Sequence, residues 1–154
     1  MIEIKKYGEP ILKKKTKSIG EVDDEIRKLI SFMMAATHEA GGVGLAANQI
    51  GLDLNMAVVD AGNGLKVLIN PKIVKMEGEQ IDEEGCLSFP GVYFKIKRPR
   101  YIEVEALDKF GNLQKIKAWD LEARAICHEV DHLNGKLILD RIGFLQRLKW
   151  KLKI

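Results

Sequence analysis

A long β-rich stretch without helical periodicity, residues 56–119, is the feature that most constrains the fold. Short runs of strand-forming residues are predicted at 56–60, 65–70, 101–107 and 113–118, and turn-forming residues separate the two runs of each pair. Parallel strands need long crossover connections, which are usually helices, whereas these strands follow one another directly. We therefore expect antiparallel pairing.

A helical segment is predicted on each side of this stretch. Asp23 is a suitable N-cap for the first helix, in which apolar residues recur at helical spacing until Gly41 and Gly42 end it. The second helix begins at Asp120, a suitable cap, and ends at Gly135. Strands placed between two helices predict an α+β fold with antiparallel sheets.

The composition indicates a single folded domain, residues 1–154. Hydrophobic residues make up 46% of the chain and charged residues 31%, which excludes a disordered protein. The sequence has no apolar run of about 18 residues, so no transmembrane helix is predicted, and the charged N-terminal segment does not resemble a signal peptide. The net charge of +3 is too small to indicate nucleic-acid binding. We expect a cytoplasmic protein that contacts neither DNA nor a membrane.

The strongest chemical pattern is His-Glu-Val-Asp-His, from His128 to His132. Residues four apart lie one above the other on a helix, so the two imidazoles could bind one metal ion. Leu121 and Ala125 share this side of the helix, which predicts that it faces inward. Glu129 lies about 100° around the helix, where it could hold a water molecule without binding the ion. The alternative is a polar helix with incidental histidines, but two of the chain's three histidines fall in this pattern.

A third metal ligand is expected upstream, because no histidine or glutamate follows His132. The candidates are Cys86, Cys127 and His38. Cys127 directly precedes a histidine of the pattern and points about 100° away from it, which favours packing, and His38 ends a helix, which favours a capping or surface role. Cys86 follows Gly85, whose missing side chain lets backbone approach a ligand closely. Two histidines and one cysteine leave a coordination position open, as in catalytic sites.

Three short motifs, in this order, resemble those of peptide deformylases. They read Gly-Val-Gly-Leu-Ala-Ala-Asn-Gln at 42–49, Glu-Gly-Cys-Leu-Ser at 84–88 and His-Glu-Val-Asp-His at 128–132. The resemblance covers most of the chain. It implies antiparallel sheets packed around a central helix that carries the HExxH motif. It also implies a hydrolase that removes the N-formyl group from the N-terminal formylmethionine of new polypeptides, releasing formate.

The resemblance further implies how a metal ion is held and used. The family's metal ligands match Cys86, His128 and His132. The implied ion is Fe²⁺, which Ni²⁺, Co²⁺ or Zn²⁺ can often replace. The family's general acid and base matches Glu129.

Four other matches concern substrate binding. The side chain of Gln49 and the backbone N–H of Leu87 match the groups that hold the substrate carbonyl. The backbone of Gly44 would line the cleft, and Val43 would contact the substrate side chain. All four positions lie within the two upstream motifs.

Some positions near the motifs depart from the family pattern or have no assigned role. Cys127 stands where a glutamine commonly precedes the metal-binding histidine. Arg124, one helical turn before His128, could narrow or polarise the substrate pocket. Asp131 is expected to lie outside the ligand set; its partner is either Arg98 or an ordinary surface group.

The C-terminal segment, residues 143–154, is basic, with apolar residues at helical spacing. Its basic residues are Arg147, Lys149, Lys151 and Lys153, and the apolar residues between them are Phe144, Leu145, Leu148 and Leu152. We expect the apolar side to pack on the body of the protein. A ribosome contact is the alternative, although the attraction of basic residues to phosphate is unspecific. We expect a monomer that binds formylmethionyl peptides.

Two other functions are compatible with parts of the pattern. A metallopeptidase that cuts internal peptide bonds would share the helix, the water and the glutamate, but the downstream ligand of that class is missing. A structural zinc domain would need four protein ligands, and only three good candidates are present. The two upstream motifs also disfavour the metallopeptidase.

Overall fold

The computed structural model describes residues 2–152, which form seven β-strands and three α-helices. The strands are β1 (Gly44–Ala46), β2 (Met56–Asp60), β3 (Leu65–Glu77), β4 (Gln80–Cys86), β5 (Phe89–Arg98), β6 (Tyr101–Leu107) and β7 (Leu113–Trp119). The helices are α1 (Asp24–Glu39), α2 (Asp120–Leu133) and α3 (Phe144–Leu152). Short 3₁₀ turns are formed by Pro10–Lys13, Ala47–Ile50 and Ile138–Arg141. The chain is α+β, as its sequence predicts.

The strands form two antiparallel sheets, which confirms the predicted pairing. The larger sheet has the strand order β1-β2-β3-β6-β7, and β4 pairs with β5 in a separate hairpin. The strand predicted at 65–70 is only the first half of β3. Beyond Asn70, whose φ is +51°, β3 continues along β6 with two register shifts. The sequence does not predict the β4–β5 hairpin, because three consecutive acidic residues, 82–84, interrupt the apolar alternation of β4.

Helix α2 packs against strands of both sheets. It contacts β1, β2, β6 and β7 of the larger sheet and β5 of the hairpin, and each of its residues from Glu122 to Leu133 is buried. Ile126 and Val130 belong to the same apolar cluster as Leu68 and Val104 of the larger sheet. The polar residues of α2 therefore lie inside the protein.

The two predicted helix starts have different outcomes. Asp23 caps α1 as predicted, because its Oδ1 accepts a hydrogen bond from the Ile26 N–H at 3.0 Å. The prediction that Asp120 caps α2 is wrong. Trp119 occupies the cap position without a side-chain cap, and Asp120 is the first helical residue, with φ +52°. Its carboxylate instead pairs with Arg100 at 3.0 Å.

Helix α3 corrects the prediction for the C-terminal segment. None of its residues is buried, and the apolar residues expected to pack on the body are exposed: Phe144, Leu145, Leu148 and Leu152. Trp150 contacts the body, with its ring 5.2 Å from that of Tyr7 and 6.1 Å from that of Phe89. Gln146 and Arg147 also donate hydrogen bonds to the carbonyl oxygens of Lys95 and Leu139. Lys153 lies outside the described residues. Among residues 2–152, no helix combines the length and apolar character needed to cross a membrane.

Candidate metal centre and active site

The last turns of α2 and the end of β4 bring together three side chains that could hold a metal ion, Cys86, His128 and His132, here called the metal-binding group. The Nε2 atoms of His128 and His132 are 3.1 Å apart, and the Cys86 Sγ is 3.2 Å from Nε2 of His132. The three ligand atoms all lie within 4.8 Å of one another. The structure therefore groups the residues that the sequence predicts as ligands.

The chemistry of this group fits a divalent metal ion. Two imidazole nitrogens and one thiolate are a donor set that suits Fe²⁺, Co²⁺, Ni²⁺ and Zn²⁺. Within residues 2–152, the group consists of these three side chains. Three protein ligands leave a coordination position for water or substrate, which is typical of a catalytic site and not of a structural zinc site.

Glu84, for which the sequence analysis assigns no role, orients the first histidine. Its Oε2 lies 2.7 Å from Nδ1 of His128, so the ring can donate from that atom and present Nε2 to an ion. The carboxylate also accepts hydrogen bonds from Arg98 at 2.6 and 3.0 Å and from Arg124 at 2.9 Å. Although burial opposes ionisation, the hydrogen bonds from His128 and Arg98 hold the pKa of Glu84 well below its usual value.

A second buried carboxylate, Asp131, extends this network. Arg98 donates to it through Nη1 at 2.7 Å, which confirms the partner considered from the sequence. Arg141 adds two hydrogen bonds, at 2.6 and 2.9 Å. Arg98 therefore lies between two carboxylates, Glu84 and Asp131, and links helix α2 to the β4–β5 hairpin.

Glu129 lies beside the metal-binding group, at the wall of a cavity. Its side chain is buried, and burial raises its pKa to about 7. Strand β1 passes so close that a Cβ on Gly44 would lie 2.7 Å from Oε2 of Glu129 and 3.0 Å from the Val58 carbonyl oxygen. Position 44 must therefore be glycine for the carboxylate to occupy this place.

Gln49 lies beside the metal-binding group, on the 3₁₀ turn after β1. Its Oε1 accepts a hydrogen bond from the Ala46 N–H at 3.0 Å, which fixes the orientation of the amide. Its Nε2 donates to Oγ of Ser88 at 3.2 Å and lies 3.7 Å from Sγ of Cys86. The amide nitrogen thus contacts both Cys86 of the metal-binding group and Ser88, a contact that the sequence does not predict.

A cavity of about 370 Å³ opens over these side chains. Its lining includes Val43, Gly44 and Leu87. Of the metal-binding group, Cys86 and His128 also line it. Ala125 and the two histidines on this side of α2 are buried, as predicted. Leu121 lines the cavity with 54% of its surface exposed, so for this residue the prediction of an inward-facing position is wrong.

Three further residues considered from the sequence lie outside the metal-binding group. Arg124 lines the cavity, but its guanidinium is bound by Glu84 and by the Ile96 carbonyl oxygen. Cys127 is buried in the apolar cluster of the larger sheet, and burial raises its pKa to about 11. His38 is largely exposed and lies 3.7 Å from Asp60.

Comparison with known proteins gives consistent results. The model of the family described as polypeptide deformylase matches residues 1–148. The peptide deformylase of Caldanaerobacter subterraneus is 48% identical over 139 residues, which cover 90% of this chain and 87% of that protein. That of Thermodesulfovibrio yellowstonii is 44% identical over 152 residues, with 96% and 92% coverage.

Solved structures agree with the sequence relatives. The peptide deformylase of Thermotoga maritima superposes with a TM-score of 0.90 at 38% identity, covering 93% of this chain and 98% of that one. The enzyme of Synechococcus elongatus, solved in complex with actinonin, superposes with a TM-score of 0.93 at 38% identity, covering 99% and 84%. This chain therefore belongs to the polypeptide deformylase family.

Proposed function

We propose that this chain is a metal-dependent hydrolase that removes the N-formyl group from formylmethionyl peptides, releasing formate and a free N-terminal methionine. The observation that carries the proposal is the convergence of Cys86, His128 and His132 at a cavity that also holds Glu129 and Gln49. A formyl group on an amine is a small amide. Its hydrolysis needs an activated water, a proton carrier and donors for the carbonyl oxygen.

Cys86, His128 and His132 hold the metal ion in this proposal, and Glu84 orients His128 from behind. The native ion is proposed to be Fe²⁺, with Ni²⁺, Co²⁺ and Zn²⁺ as alternatives. A divalent ion in such a site supplies Lewis acidity, which lowers the pKa of water from 15.7 to about 7.

Glu129 serves as the proton carrier. Its carboxylate accepts a proton from the attacking water and later donates it to the nitrogen of the departing methionine. Its buried side chain lines the cavity beside the metal-binding group, which supports this role. Gly44 permits this position, because any side chain there would collide with Glu129.

Gln49 and the backbone N–H of Leu87 bind the formyl oxygen as negative charge develops on it. The Gln49 amide is held by Ala46 and Ser88, so its N–H groups are oriented before the substrate arrives. Donors arranged in advance stabilise the transition state without paying a reorganisation cost during the reaction.

The methionine side chain occupies the cavity. Val43 contacts it, and the backbone of Gly44 lines the cleft. A volume of about 370 Å³ lies within the range of pockets that bind small ligands, so the cavity can accept an unbranched side chain of this size.

The remaining parts of the proposal concern the whole protein. Residues 1–154 form a single catalytic domain in which α2 is the central helix and residues 143–154 are a basic C-terminal tail. The protein acts as a monomer in the cytoplasm, where formylated chains are made, and it uses neither DNA nor a membrane. A ribosome contact through the tail is a separate hypothesis, which salt-sensitive cosedimentation with ribosomes would test.

Release of formate from formyl-Met-Ala by the Fe²⁺-loaded protein, prepared anaerobically, tests the proposal. We expect turnover of formyl-Met-Ala, slow or no turnover of acetyl-Met-Ala, and no cleavage of the Met-Ala bond. Cleavage of that bond would instead support a metallopeptidase. A tightly bound ion without any hydrolysis would support a structural metal domain.

A further inference from the structure

Asn48, beside Gln49 in the 3₁₀ turn, reaches the backbone of a metal-binding residue. Its side chain is fully buried, and Nδ2 donates to the carbonyl oxygen of His132 at 2.6 Å. The two residues are 84 positions apart in sequence, so this contact ties the turn after β1 to the end of α2. None of the roles assigned to the neighbouring motif residues uses this amide.

The oxygen of the Asn48 amide indicates that a contribution to stability alone does not explain an asparagine at this position. Among the described residues, Oδ1 of Asn48 is buried without a hydrogen-bond partner. A buried acceptor without a partner costs free energy, whereas an apolar side chain of the same size would avoid that cost. A polar residue is therefore useful here only through its donor, and the donor contacts His132.

The end of α2 is the part of the helix that most needs such a donor. Carbonyl groups in the last turn of a helix lack intrahelical partners, and helix ends open more readily than helix centres. His132 precedes the last residue of α2, and its carbonyl also accepts the backbone N–H groups of Asn134 and Gly135, the latter at 3.0 Å. The next carbonyl, that of Leu133, accepts both the N–H and the hydroxyl of Thr16 at 2.9 Å.

We propose that Asn48 is a positioning residue for the metal ligand His132, and that it slows loss of the metal ion by holding the last turn of α2 in place. The proposal rests on the metal site proposed above. Removal of a residue that hydrogen-bonds to a metal ligand typically lowers metal affinity 10- to 100-fold. Asn48 would act in this way on the backbone of the ligand, as Glu84 acts on the ring of His128.

The test compares Asn48→Leu with the unaltered chain. Leucine has nearly the same shape but neither the donor nor the unpartnered oxygen. We expect the metal-free variant to unfold at the same or a higher temperature. The Co²⁺-loaded variant should lose its ion to EDTA roughly 10- to 100-fold faster than the Co²⁺-loaded unaltered chain. The decrease of the absorption band of cobalt bound to thiolate measures this rate. Asn48→Ala is the second variant, should the leucine not be accommodated.

Thr16→Val is the matched control at the neighbouring carbonyl. It removes the hydroxyl donor to Leu133 but keeps the backbone N–H donor, so Co²⁺ loss should stay near the rate of the unaltered chain. Unchanged Co²⁺ retention in Asn48→Leu would overturn the inference. A variant whose metal-free form unfolds at a clearly lower temperature and which also loses Co²⁺ faster would overturn it too, because that result indicates a merely structural role. An unaltered chain that binds no Co²⁺ would contradict the metal site itself.

Discussion

Helices α2 and α3 both carry mixed apolar and charged residues, yet the protein buries one and exposes the other. Every residue of α2 from Glu122 to Leu133 is buried, including two histidines and two carboxylates near the metal-binding group. Helix α3 buries none of its residues, although Phe144 and Leu145 are among them. Amphipathic spacing thus predicts that a helix forms, whereas the surrounding elements determine what is buried.

The difference arises from the partners that each helix finds. Asp131 of α2 is neutralised by Arg98 and Arg141, and Glu84 of the hairpin reaches His128, so burial of polar groups is compensated. Helix α3 meets the body chiefly through Trp150. We therefore expect substitutions around α2 to affect chemistry and folding strongly, and changes to α3 to have small effects.

Glu129→Gln should have the largest effect on activity. The amide retains the shape and can still hydrogen-bond a water molecule, but it cannot accept a proton. We expect kcat for formyl-Met-Ala to fall roughly 10²- to 10⁴-fold. Metal content, measured by atomic absorption, should stay at the level of the unaltered protein. A variant with nearly normal kcat would show that Glu129 is not the base.

Arg98→Met should have the largest effect on folding. It removes the cation that joins Glu84 and Asp131, and leaving buried charges without a partner costs about 3–5 kcal/mol of unfolding free energy. Urea denaturation would measure this loss. Arg100→Met is the control, because its pair with Asp120 is exposed and should contribute about 1 kcal/mol or less. Similar losses in the two variants would contradict the importance given to the buried network.

Gln49→Leu tests the proposed hydrogen-bond donor on the turn after β1. Loss of one donor to the developing oxyanion typically lowers kcat about 10²- to 10³-fold, so kcat/KM should fall while metal content stays unchanged. Steady-state kinetics and metal analysis of the same preparation would measure both. If the metal were lost as well, Gln49 would have a structural role through Cys86 and Ser88.

Ending the chain after Gly143 should have the smallest effect. The deletion removes α3 and exposes Tyr7 and Phe89, which now contact Trp150. The expected loss is about 1–2 kcal/mol of unfolding free energy, on the scale of a few aromatic contacts, with kcat unchanged. Trp150→Ala should reproduce most of this loss. A large fall in kcat would show that α3 contributes to the active site, and the contrast with α2 would fail.

The sequence predicts those parts of the structure that depend on local spacing. Asp23 caps α1, and the strands 56–60 and 101–107 have the bounds that their strand-forming residues predict. The i, i+4 spacing of His128 and His132 likewise places both rings on one side of α2. In each case the determining residues are neighbours along the chain.

The features that the sequence does not predict depend on contacts between distant residues. Glu84 lies in an acidic run that is typical of an exposed strand, and only the fold shows that Arg98, Arg124 and His128 surround it. Exposure of Leu121 is equally non-local, because it depends on the cavity that the fold leaves beside its side chain.

The most direct test of the central claim compares the metal content of two serine variants, Cys86→Ser and Cys127→Ser, prepared anaerobically. Cys86 lies within the metal-binding group, whereas Cys127 lies in the apolar cluster that α2 forms with the larger sheet. We expect Cys86→Ser to bind the ion weakly and to lose most deformylation. Cys127→Ser should keep nearly one ion per chain and lose only packing energy. Loss of the ion from Cys127→Ser but not from Cys86→Ser would contradict the ligand assignment.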